Sequence, residues 1–350
     1  MRSPQFFPVI ARAAAIAVLY GVAATATILL TRFDGGVAHL WVATAVLLAE
    51  LIVAPRRAWA PTLAGCGMAS LLATGIFGFG WAAAGPLAVI NVAEAVIGAL
   101  LLKRLGQTSG YLESIASVAM FSLAVGAVGP AISGFFGAAI ASWSGGFDYG
   151  QSWFGWVFGH GLGTLTFTPI LAMVLHGEID RWLRAASARL KLEAIILTLV
   201  MIAVCWVVFA QDGLPLLFVP MLPLMIITFR LGRPGAAAAI VMLTVVGGIL
   251  TARGFGPINL IEGSDGERSE FFQFYLAITV LIVLPIAAEL KHRKLIFRQL
   301  QESEARHKLI TESATDMLVT FDLDGVIVYA SPSTREIAGY PPEHLLGRPG

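Results

Sequence analysis

Charge is what this sequence has least of. Asp, Glu, Lys and Arg make up 13% of its 350 residues, against about a quarter in a soluble domain, and that shortage excludes an ordinary water-soluble fold. Cysteine is nearly absent too. Cys66 and Cys205 stand far apart in apolar runs, so they offer neither a disulfide framework nor a metal-binding spacing, and both read as small buried apolar groups. The loops between apolar runs are too short for a folded ligand-binding domain. Nucleophile motifs, phosphate-binding loops and histidine–carboxylate clusters are missing, so the chain does not read as an enzyme and no metal site is expected. The net charge of +1 makes no case for nucleic acid as a partner.

Hydrophobicity fills the space that charge leaves. Apolar residues are 57% of the chain and the mean hydropathy is +0.80, the composition of a polytopic membrane protein. Helices are the expected spanning element, because backbone groups in lipid must be satisfied within the segment. Ten stretches qualify: 10–30, 37–54, 58–75, 83–102, 113–141, 154–175, 192–210, 214–229, 235–252 and 271–290. The expected fold is an all-α membrane bundle of about 8–10 transmembrane helices. The fifth stretch is long enough to tilt or kink at Pro130. The eighth contains Pro215, Pro220 and Pro223 and reads as broken or re-entrant. The N-terminus is basic and then apolar, like a signal peptide, but runs on to Leu30 without a cleavage site, as a retained first span. Sixteen Lys and Arg, from Arg2 to Arg298, fall on one side of this arrangement, against Arg32, Arg253 and Arg268 on the other. The positive-inside rule then predicts a multi-pass protein of the bacterial inner membrane with both termini cytoplasmic.

Ionisable groups at membrane depth are costly and point to function. Glu94 lies mid-span, and Asn91 precedes it by one helical turn on the same face. The pair reads as a ligand or proton site, or as a packing hydrogen bond between helices. Glu50, near Arg56 and Arg57, reads as half of a structural ion pair, while Glu193 and Glu289 at span ends read as solvated. His160 sits between glycines, after Trp153 and Trp156. It can change protonation near physiological pH or simply hydrogen-bond between helices. The tryptophans are first of all interface anchors. Haem ligation is disfavoured because His39, His160 and His176 lie at different depths, and no cofactor is assigned. The ligand-sensing candidates are therefore Glu94, Asn91, His160, Trp153 and Trp156.

Four segments, taken in order, resemble the membrane-associated sensor family of the first type, the MASE-one domain. NVAEAVIGALLLKRLG is similar to its asparagine–glutamate helix with a basic end. WFGWVFGHGLGTLTFTPIL is similar to its tryptophan–glycine segment closing on proline. FVPMLPLMIITFRLGRPGAAAAI and TARGFGPI match a proline-rich helix with an arginine–glycine turn and the glycine–proline turn that follows. The resemblance spans about residues 10–290. Two positions depart from it: His160 stands where an acidic residue is expected, and WVAT at Trp41 to Thr44 replaces a tryptophan–proline pair. The resemblance implies a sensory input domain joined to cytoplasmic outputs such as histidine kinases or cyclic-di-GMP enzymes.

Beyond Leu290 the chain becomes charged and helical, free of Pro and Gly, with Leu295, Ile296, Leu300, His307 and Ile310 along a loose apolar stripe. Leu290, Leu295 and Leu300 are the candidate signal-relay positions. Two short strands, Met317 to Phe321 and Val326 to Tyr329, flank an Asp322-Leu323-Asp324-Gly325 turn, and Ser331 to Ala338 follows as a short helix. This resembles the opening of a PAS domain, of which only the first forty or so residues are present. The expected organisation is a membrane sensory domain at 1–290, a helical linker, single or coiled, at 291–311, and a partial α+β PAS domain at 312–350. It implies a homodimer through linker and PAS domain, with the lipid bilayer or a membrane protein partner delivering the stimulus. A transporter or permease with a regulatory tail is the rival, but no convincing repeat between halves is visible.

Overall fold

The structure is a computed structural model that describes residues 6–32, 36–105, 112, 114–312 and 316–350. Arg2 and the side chains of His307 and Ile310 lie outside the described residues. Two compact units are present, with the boundary between Lys291 and His292.

The first unit is a helical bundle. Among the described residues, eight helical segments are long and apolar enough to cross a membrane, one of them the joined segment Ile115–Gly145. In chain order the helices are α1 (Phe6–Thr31), α2 (Ala43–Val53), α3 (Trp59–Phe77), α4 (Trp81–Arg104), α5 (Ile115–Phe121), α6 (Gly129–Gly145), α7 (Tyr149–Leu175), α8 (Glu178–Ala185), α9 (Ala188–Phe209), α10 (Met221–Ala252) and α11 (Asp265–Glu312). Side-chain contacts define two ends. At the basal end, where α1 begins, Arg12 grips Glu50 at the end of α2 through two bonds of 2.7 and 2.8 Å. There too Lys103 donates to Ala54 O and His176 Nε2 to Ala49 O. At the apical end Arg32 Nη1 donates to Gly78 O, 2.8 Å away. Glu50 was expected to pair with Arg56 and Arg57. Its partner is instead Arg12, which α1 carries to it from 38 residues away, while Arg56 and Arg57 are exposed in a 3-10 turn.

Two passages between the ends are not continuous helices. Residues 36–42 run non-helically from the apical end, and the 11-residue α2 completes the return. Lipid tolerates such backbone only where protein satisfies it. Here His39 N donates to Thr31 O, Trp41 N donates to Gly159 O, and Gln273 of α11 donates to His39 O. The second case begins after α9. Residues 211–220 carry Pro215 and Pro220, which have no N–H for a helical ladder, and helix resumes only at Met221. Leu217 O is taken by Tyr275 OH at 2.8 Å. α10 then reverses at Gly232, whose φ of 67° and ψ of −150° lie outside helical space. Its two arms correspond to the eighth and ninth apolar stretches. Each broken passage closes at its basal end on the preceding helix, Glu50 to Arg12 of α1 and Arg230 to Glu193 of α9. Glu193 is thus ion-paired. A repetition invisible in residue identities is therefore present in the helix breaks.

The fifth stretch departs from α-helix just before Pro130. A π-helical turn, Ser122–Val128, joins α5 to α6, and Pro130 cannot donate to Gly126 O. α7 meets this irregular surface: Thr164 Oγ1 donates to Val125 O at 2.8 Å, and Gly161 lies directly against Gly126 O. The opposite face of α7 is also bare. Gly155, Gly159 and Gly163 lie under Val37, the Ala38 and His39 carbonyls, and the Trp41 backbone. Close approach through small residues is usual between membrane helices, but here glycines cradle a non-helical strand of chain.

The second unit contains the end of α11 and a two-stranded antiparallel sheet, β1 (Val319–Phe321) and β2 (Ile327–Ala330), with Val319 opposite Ala330. Asp322 Oδ1 accepts from the Asp324 and Val326 N–H groups, and Gly325 takes a φ of 79° to close the hairpin. Two one-turn helices, α12 (Thr334–Ile337) and α13 (Pro342–Leu345), follow. α12 is shorter than the expected 331–338 helix. Its preceding Ser331 and Ser333 are tied instead to Leu318 N and Asp316 O.

Candidate functional site

Glu94 is buried in α4, and one of its carboxylate oxygens gathers three donors. His160 Nδ1 of α7 lies 2.8 Å from Oε2, Ser133 Oγ of α6 at 2.5 Å, and Trp156 Nε1 of α7 at 3.3 Å. Trp156 Nε1 also donates to Ser133 Oγ at 3.0 Å. Three spans therefore converge on a single oxygen. The other oxygen, Oε1, is buried and accepts no hydrogen bond among the described residues. The histidine–carboxylate pair missing from the local sequence motifs is made by the fold, from residues 66 positions apart.

The imidazole of His160 is sandwiched. Trp156 stacks on one side, with centroids 4.1 Å apart and planes at 17°, and Trp41 on the other, at 5.4 Å and 13°. Trp41 comes from the non-helical strand of the first broken passage. The glycines of α7 let that strand lie close enough to do this. Thr164, one turn on from His160, donates to His160 O as well as to Val125 O.

A cavity of about 40 Å3 opens beside the sandwich. His160, Trp41, Trp156 and Asn91 line its floor, and Arg32 and Phe79 its apical rim. The Arg32 guanidinium lies 4.3 Å from the Phe79 ring centroid and donates to Gly36 O and Gly78 O. Asn91 Nδ2 donates to Ser70 Oγ at 3.1 Å, while its carbonyl oxygen is buried with no partner among the described residues.

Of the five ligand-sensing candidates, Glu94, His160 and Trp156 form the hydrogen-bonded cluster, and Asn91 shares the cavity. Trp153 stands apart, donating to Ala131 O at 3.3 Å. Trp156 is 4% exposed and acts here as a polar contact inside the bundle rather than an interface anchor. Ser133, Trp41 and Gln273 had not been singled out. Trp41 carried a signal, because it sits where the chain departs from the family pattern. Ser133, one small residue among many in α6, carried none. Of the relay positions, Leu290 is half-buried and Leu295 and Leu300 are exposed. His39 lies towards the apical end and His176 at the basal end, so the three membrane histidines do not converge.

Comparison with protein families places MASE1 over residues 12–293 and the PAS fold over residues 311–350. The chain belongs to the MASE1 family. It is a membrane sensory domain followed by the start of a PAS fold, which together form an input module of signal transduction. No curated protein and no solved structure matches the chain.

Proposed function

We propose that this MASE1 domain reads its stimulus at the Glu94–His160 cluster and passes the response along α11 to a cytoplasmic output of the histidine kinase or diguanylate cyclase class. The observation that carries the reading is the convergence of α4, α6 and α7 on Glu94 Oε2 beside a cavity. A change at this oxygen alters three spans at once. The route out is short and physical: His160 stacks on Trp41, the strand holding Trp41 contains His39, and His39 O accepts from Gln273 of α11. In this reading the membrane domain is 1–290, the linker 291–311 and the PAS start 312–350. The basal end, rich in Arg and Lys, faces the cytoplasm of a bacterial inner membrane. The linker and PAS domain pair with a second copy.

The test uses the full-length protein in membranes. Glu94→Gln keeps the shape of the side chain and removes its charge. The expected result is an output locked in one state with membrane levels unchanged. A wild-type response from well-expressed Glu94→Gln protein returns the residue to a packing role. The paired broken passages also suit a permease. Accumulation of a solute dependent on this chain, with an unresponsive output, would favour that second reading.

A further inference from the structure

We infer that the ligand of this site is a proton, taken up by His160 from water in the cavity. The inference rests on the reading of the cluster as the input site and narrows what that site accepts. Size comes first. About 40 Å3 holds about three water molecules, so water reaches the ring. Chemistry comes second. Nδ1–H of His160 donates to the Glu94 carboxylate, which leaves the Nε2 edge for the cavity that the ring lines. A hydronium ion at Nε2 gives up one proton: an N–H bond forms, an O–H bond breaks and water remains. The imidazolium so made has its counter-charge in place, because Glu94 is the carboxylate already bonded to the ring.

The two indoles complete the argument. A cation is attracted to the face of a tryptophan, and His160 has an indole on both faces. Neutral imidazole gains less from that arrangement than imidazolium does. The stack is therefore tighter in the protonated state, and Trp41 transmits the difference to its strand. The other titratable or charged groups around the site are few. Arg32 stands at the apical rim of the cavity, His39 lies on the strand beside Trp41, and Tyr20 of α1 is buried near Ser70 and Glu94. Glu94 is the carboxylate bonded to the His160 ring, at 2.8 Å from Nδ1.

Tryptophan emission of the chain in lipid nanodiscs, followed from about pH 8 to pH 5, tests this without any assumption about output. Protonated imidazole quenches a stacked indole. Two of the eight tryptophans stack on His160. The expected result is a titration step of up to about one quarter of the emission, absent in His160→Gln. An identical step in folded His160→Gln overturns the proposal, as does a flat wild-type profile. If His160→Gln fails to fold, Trp41→Phe takes its place: it removes one reporter and should shrink the step, and an unchanged step assigns the titration elsewhere and overturns the proposal. A normal step together with a full-length protein whose output ignores Glu94→Gln would leave the proton site standing and reject the sensing role.

Discussion

The two broken passages of the bundle are built alike and used differently. Each descends from the apical end as a non-helical strand, becomes a short helix, and is tied by an ion pair to the start of the helix before it. The first strand is pressed onto the glycine face of α7 and delivers Trp41 to a buried histidine. The second is held by Tyr275 OH on Leu217 O and has no ionisable side chain between Leu214 and Phe229. A break in a helix is therefore not itself a site. What turns the first passage into one is the set of polar groups that α4, α6 and α7 direct at it. Even the closing ion pairs differ: Glu50 is 4% exposed against a half-exposed Arg12, whereas Arg230 is 59% exposed.

The largest effect should come from filling the cradle. A Cβ at Gly159 would lie 2.6 Å from Ala38 O, whereas one at Gly85 meets nothing within 4 Å. Gly159→Ala should cost about 1–3 kcal/mol or more through overpacking, and Gly85→Ala should be neutral or stabilising by up to about 1 kcal/mol. Thermal unfolding in detergent distinguishes them. Equal melting temperatures would mean that the strand is not clamped.

Truncating Glu94 ranks close behind. Glu94→Ala leaves the buried Nδ1–H of His160 without its acceptor, while Trp156 still donates to Ser133 and Ser133 to Pro130 O, and a buried donor left unpaired costs about 1–3 kcal/mol. Glu94→Gln should recover most of that stability. If alanine and glutamine variants melt together, the His160 donor finds another partner and the site is not a convergence.

The closing ion pairs give the smaller effects. Arg12→Gln leaves the buried Glu50 without its cation and should destabilise by about 1–2 kcal/mol, reduced because Arg12 is half exposed. Arg230→Gln breaks the corresponding pair of the second passage, where solvent screens both partners, and should leave the melting temperature unchanged. A larger loss from Arg230→Gln than from Arg12→Gln would reverse the ranking of the two passages.

Much of this bundle is legible along the chain, because span length, prolines and basic loop residues are local signals. Prolines 215 and 220 announce the second break. The first break is harder to see, since residues 37–42 are as apolar as a helix and are held open by glycines about 120 positions later. The same distance hides the site. Glu94 and His160 each look unusual alone, but nothing in their spacing says that they touch. Glu50 shows the opposite error, in which sequence neighbours Arg56 and Arg57 look like partners and the fold chooses Arg12. Side-chain identity marks costly groups well and says little about which of them meet.

The coupling between the cluster and α11 is the claim on which the account turns, and a spin label reads it directly. Leu300 is exposed on α11, and the native cysteines, Cys66 and Cys205, are buried, so a label at Leu300→Cys reports the helix alone. Glu94→Gln, and Gln273→Leu with it, should change the mobility or inter-copy distance of that label in lipid nanodiscs. Spectra from wild type, Glu94→Gln and Gln273→Leu that superimpose would contradict the coupling.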